Sequence, residues 1–131
     1  MRRHLFPTAA RCLLWVVIPL LACTATEVRA GDITFKNETK ATLVVQGWTF
    51  LNRQKTIRKA GPMMKIEAGK SATDFNVPAA PRAIVVFDSL GRRLYARELP
   101  YDGSDCTVEI RVNPRTNGIN LVQPDSKKKS D

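Results

Sequence analysis

The chain has 131 residues, 44% of them hydrophobic, and carries 21 Lys and Arg against 12 Asp and Glu, a formal net charge of +9. A chain of this size supports one hydrophobic core and no second domain. Its single histidine, His4, stands at the extreme N-terminus, so the rest of the chain offers no imidazole for a Ser-His-Asp or Cys-His nucleophile system or for the usual Cys/His zinc sets.

The first thirty residues run from basic Arg2, Arg3 and Arg11 through the apolar "CLLWVVIPLLAC" (Cys12 to Cys23) to small residues, the order of a secretory signal peptide. About 12 apolar residues rise about 18 Å as a helix, short of a bilayer core of about 30 Å. Pro19 weakens that helix further. We therefore expect residues 1–30 to be a cleavable signal helix and the protein to be exported, periplasmic or secreted. "VRA" at Val28 to Ala30 predicts cleavage after Ala30 and a mature chain from Gly31. In the same region "LLAC" (Leu20 to Cys23) resembles the bacterial lipoprotein box, although Leu21 stands where that box more often has Ala or Ser. The resemblance implies a lipid anchor at Cys23 as the alternative, and a membrane association only through that anchor. Loss of residues 1–30 removes four basic residues and Glu27, leaving 17 − 11 = +6.

From Gly31 to Gln123 short apolar or alternating runs recur between turn-forming clusters, with no helical periodicity. Strands are predicted near residues 33–36, 42–50, 63–67, 73–77, 84–88, 93–98, 107–112 and 119–122. Spacings of about 8 to 12 residues point to an all-β fold, a small antiparallel β-sandwich of immunoglobulin-like or related type. The clearest turn is in "IVVFDSLGRRLYARE", where Asp88, Ser89 and Gly91 separate two β-prone runs and Gly91 can adopt positive φ. Gly69 in "EAGKS" marks a second turn, and Pro78 and Pro81 end the following strand. The expected core is Ile33, Phe35, Leu43, Val45, Ile66, Phe75, Val77, Ile84, Val86, Leu94, Val108, Ile110, Val112 and Leu121. Residues 124–131, with the Lys127 to Lys129 run, read as a disordered basic tail.

Cys106 opens "CTVEIRV", where alternation sets it with Val108, Ile110 and Val112 on the apolar face, so it is expected to be a buried free thiol. Asp102 and Asp105 flank Gly-Ser in "YDGSDC". These carboxylates are the candidates for a hydrolytic or metal-assisted enzyme, or for Ca²⁺ ligation, but the same residues are those of an ordinary β-turn. Neither GxGxxG nor GxxxxGK[ST] occurs, so no nucleotide cofactor is expected. "NET" at Asn37 to Thr39 matches the N-glycosylation acceptor.

"WTFLNRQKTIRKAG" sets Trp48 and Phe50 close to Arg53, Lys55, Arg58 and Lys59. Aromatic faces interleaved with cations are the means by which polyanions are bound, while the plainer reading packs the rings and leaves the charges on a solvated loop of about 10 residues. Arg92, Arg93 and Arg97 are expected to extend that surface. Together these features predict a non-enzymatic, exported binding module. Its partner would be an anionic envelope polysaccharide, a lipid headgroup or a protein, since export argues against a nucleic acid. The alternatives are a lipid-anchored envelope assembly protein and the enzyme using Asp102 and Asp105.

Overall fold

The computed structural model describes residues 29–123. The predicted leader up to residue 28, Cys23 with it, and the basic tail from residue 124 lie outside these residues. Eight strands follow in chain order: β1 (Ala30–Asn37), β2 (Leu43–Phe50), β3 (Arg58–Ile66), β4 (Ser71–Pro78), β5 (Arg82–Asp88), β6 (Arg93–Leu99), β7 (Cys106–Val112) and β8 (Ile119–Val122). No helix occurs among the described residues.

The strands form two four-stranded sheets, ordered β4-β1-β7-β8 and β3-β2-β5-β6. All neighbours are antiparallel except β1 and β7, which run parallel. In the immunoglobulin order the first two strands pair within one sheet. Here β1 and β2 belong to different sheets, so the sandwich is of the related kind.

Alternation along each strand explains what the sandwich buries. On β2, Leu43 and Val45 point inward while Val44, Gln46, Trp48 and Phe50 face out. Ile33, Phe35, Leu43, Val45, Met64, Ile66, Val77, Ile84, Val86, Val108 and Ile110 close the core, and removal of this apolar surface from water, at about 25 cal/mol per Å², drives the two sheets together. Leu121 is half-buried and packs against this cluster.

Three residues expected in the core are exposed, and each has a local cause. Phe75 is 67% exposed because β4 has one residue more than β1 between the pairs Gly31↔Val77 and Ile33↔Asp74. This bulge turns Asp74 inward and Phe75 outward, with Asn76 at φ 54° restoring Val77 to the core side. Leu94 is 42% exposed: Val86 pairs with Tyr95 and Phe87 with Arg93, so Leu94 is the extra residue of a second bulge and Tyr95 packs inward in its place. Val112 is the last residue of β7 and is exposed there.

The predicted third strand also starts earlier than expected. β3 begins at Arg58, so the solvated loop is residues 51–57, and Arg58 and Lys59 are strand residues paired with Phe50 and Thr49. The glycosylation reading of Asn37 is overturned by burial. Its side chain is fully enclosed, Nδ2 donating to the carbonyls of Ala41 (2.7 Å) and Ile66 (3.0 Å) while Oδ1 accepts from the Thr39 backbone and hydroxyl. A glycan on Nδ2 would replace one of the two donated hydrogens, at a side chain that is fully enclosed.

Candidate functional site

The aromatic and basic residues gather at one end of the β3-β2-β5-β6 sheet, Trp48, Phe50 and Arg58 on its outer face and Lys59, paired with Thr49, on the other. Trp48 lies between Ala60 of β3 and Ala83 of β5. These small neighbours leave its ring open, and Arg58 crosses it with Cζ 5.3 Å from the centroid. One step along, Phe50 pairs with Arg58, and Lys55 Nζ stands 5.8 Å from the Phe50 centroid. Two cations are thus held on two aromatic faces by the two-residue repeat of a single strand. Lys55 also pairs with Glu98 at the end of β6 (2.6 Å), which draws the loop across the sheet.

That loop has a fixed shape. Asn52 organises it, its Oδ1 accepting from the Ile57 N–H (3.0 Å) and its Nδ2 donating to Thr56 Oγ1 (2.7 Å). Lys55 takes φ 57°, and the Leu51 N–H donates to the Ile57 carbonyl at 2.8 Å. Leu51 and Ile57 therefore lie side by side at the base of the tip, 56% and 58% exposed. Sequence reasoning passed over this pair, although two aliphatic residues bracketing a polar run were visible. Among the described residues Arg53, Arg58 and Lys59 form no ion pair.

Arg92 and Arg93 do not join this group. The ladder between β2 and β5 runs from Thr49↔Arg82 to Leu43↔Asp88, so the β5–β6 hairpin leaves the sheet at the opposite end, about 20 Å away. Arg92 is tied there to Asp88 (Nε to Oδ2, 2.6 Å), and the Asp88 carboxyl also accepts the backbone N–H groups of Leu90 and Arg92. These bonds, the Arg92 N–H above all, hold that carboxyl below its usual value of 3.8. Arg97 lies against the Tyr95 ring, 6.0 Å from its centroid.

The inner face of the same sheet holds a group that sequence reasoning missed. Arg82 is 3% exposed; Nη2 pairs with Asp74 of the opposite sheet, and Nη1 donates to Thr49 Oγ1 at 2.5 Å. Gly47 and Gly61 make room for the guanidinium, since a Cβ at Gly47 would stand 2.3 Å from Arg82 Nε and one at Gly61 2.6 Å from Nη2. Burial pushes the Asp74 carboxyl up, against the pull of the Arg82 charge. Arg82 shares its face with Ile84 and Val86, so alternation in "RAIVVF" did carry the signal.

Of the competing carboxylates, Asp102 caps its own turn and Asp105 ties that turn to β1. Asp102 Oδ1 accepts the Ser104 N–H and Asp105 Oδ1 accepts the Asp32 N–H, both at 2.9 Å, while Gly103 takes φ 82°. Cys106 is half-buried rather than enclosed and packs against the core; burial, and then the nearby Asp102 and Asp105 charges, push its thiol up. The neighbouring Tyr101 hydroxyl is buried without a partner among the described residues, and desolvation raises it to about 12. A raised thiol beside carboxylates is the opposite of an activated nucleophile.

No protein-family model matches the chain, and no curated protein does.

Proposed function

We propose that this protein is an exported, non-enzymatic binding module that engages an anionic envelope or extracellular partner through the β2–β3 end of its β3-β2-β5-β6 sheet. The observation that carries this reading is the stacked pair, Arg58 over Trp48 and Lys55 over Phe50, on an outward face. Cations held in place by rings lose less freedom on meeting phosphate, sulfate or carboxylate groups than free side chains do. Arg53 and Lys59 add charge at the same end, and no acidic residue interrupts the sequence from Leu51 to Ile66. The backbone N–H groups that Asp102 and Asp105 accept favour binding over hydrolysis.

Dextran sulfate serves as a soluble polyanion probe. At about 0.05 M salt Arg58→Glu with Lys59→Glu should weaken its binding at least about tenfold, and raising salt to about 0.5 M should weaken the parent chain likewise. Unchanged affinity in the charge-reversed chain would refute the reading. Asp102→Asn with Asp105→Asn should leave binding intact.

A further inference from the structure

The binding reading leaves Leu51 and Ile57 unused. Both are more than half exposed, joined through their backbones, and held at a tip whose shape Asn52 fixes from within. Stacking on a sugar or pairing with a soluble polyanion has no use for two aliphatic side chains exposed where the ladder ends. They flank Phe50 and Arg58, the last pair of the ladder, and so stand immediately beside the stacked cation. The tip therefore offers a short apolar edge with Arg53, Arg58 and Lys59 beside it. An apolar edge with cations beside it is complementary to one kind of surface, in which phosphate groups lie directly above hydrocarbon.

We infer that the β2–β3 tip docks on an anionic phospholipid bilayer, Leu51 and Ile57 entering the boundary between headgroup and acyl chain while Arg53, Arg58 and Lys59 meet the headgroup phosphates. The inference rests on the polyanion reading and narrows it from anionic partners in general to a lipid surface. The attachment is shallow and reversible: two aliphatic side chains enter the bilayer, far fewer than a membrane span requires. It is also independent of any lipid on Cys23, because every group it uses lies on the sandwich.

The test uses the chain from Arg29 to Asp131, which retains every core residue and excludes the apolar Cys12 to Cys23 run from the measurement. It is titrated with vesicles of phosphatidylcholine containing about 30% phosphatidylglycerol, with vesicles of phosphatidylcholine alone, and with dextran sulfate. From Arg29 onward Trp48 is the single tryptophan, so its emission reports events at the tip. The parent chain should bind the anionic vesicles at least about tenfold more tightly than the neutral ones. Leu51→Ser with Ile57→Ser, which changes no charge, should weaken anionic-vesicle binding by about tenfold to a hundredfold and leave dextran sulfate binding unchanged. Equal vesicle binding by parent and double variant would overturn the inference. Binding of dextran sulfate without binding of anionic vesicles would overturn it too, while leaving the polyanion reading in place. Binding of neither would sink both. Should the double variant not fold, quenching of Trp48 by brominated lipid in the parent chain decides the matter, and absence of quenching counts against insertion.

Discussion

The two faces of the β3-β2-β5-β6 sheet each hold an arginine beside a fixed partner, and they treat it in opposite ways. On the inner face Arg82 is enclosed with Asp74 and Thr49, in space that Gly47 and Gly61 leave free. On the outer face Arg58 rests on Trp48 with one side open to water. The inner charge is held by Asp74 and Thr49 within the protein and joins the two sheets, with its Nε buried and unpartnered among the described residues. The outer one is oriented but unpaired, and is free to meet a partner. The same contrast separates the two hairpins of the sheet. Arg92 is neutralised by Asp88, whereas the tip between β2 and β3 keeps Arg53, Arg58 and Lys59 unpaired among the described residues. The number of cations in a stretch of sequence thus says little about binding until the acids that neutralise them are located.

The largest effects should come from breaking the inner arginine's arrangement. Asp74→Ala leaves a buried guanidinium without its counter-charge and should cost about 3–5 kcal/mol of stability in urea unfolding. Combining Asp74→Leu with Arg82→Met should recover most of that loss, because a well-packed apolar pair replaces two desolvated charges; no recovery would mean that the ion pair itself holds the sheets in register. Gly47→Ala brings a methyl group against Arg82 Nε and should cost about 1–3 kcal/mol, visible as a lowered urea midpoint. The hairpin contrast predicts a smaller change. Arg92→Glu with Arg93→Glu should reduce dextran sulfate affinity by no more than about threefold, against at least about tenfold for the Arg58 and Lys59 pair; equal losses would show that charge acts without regard to place.

The finest effect concerns pH at the β5–β6 hairpin. The Asp88 carboxyl is depressed in the folded chain, so its contribution to stability is present above its usual value of 3.8 and is lost as pH falls through the depressed value. Its carboxyl carbon, followed by NMR, should titrate below 3.8, and Arg92→Ala should move that midpoint upward. A midpoint at or above the usual value would mean that the Asp88 cap is not formed in solution.

Much of the sandwich was legible in the chain. The hairpin at Asp88 to Gly91 was announced by its turn residues, and Gly91 does take φ 78°. The last strand has the predicted bounds, Ile119–Val122. β3 was missed in its first half because Arg58, Lys59, Gly61 and Pro62 read as loop, yet an edge strand tolerates proline and needs only a neighbour's backbone. At the site, Trp48, Arg53, Lys55, Arg58 and Lys59 were all visible as candidates. Arg92 and Arg93 were grouped with them through composition alone, and the antiparallel run of β5 against β2 carries them to the far end.

Strand number, strand period and most of the core follow from the sequence, because alternation of apolar and polar side chains is a local property of an extended chain and needs no partner to be read. Which side of that alternation wins at a bulge was decided by the tertiary structure. Phe75 and Leu94 point outward since the neighbouring strands, β1 and β5, set the register there. The fate of each charge was decided in the same way. Arg82 is buried and Arg58 exposed because a carboxylate from the opposite sheet reaches the first and none among the described residues reaches the second, and Coulomb attraction acts between positions that only folding brings together.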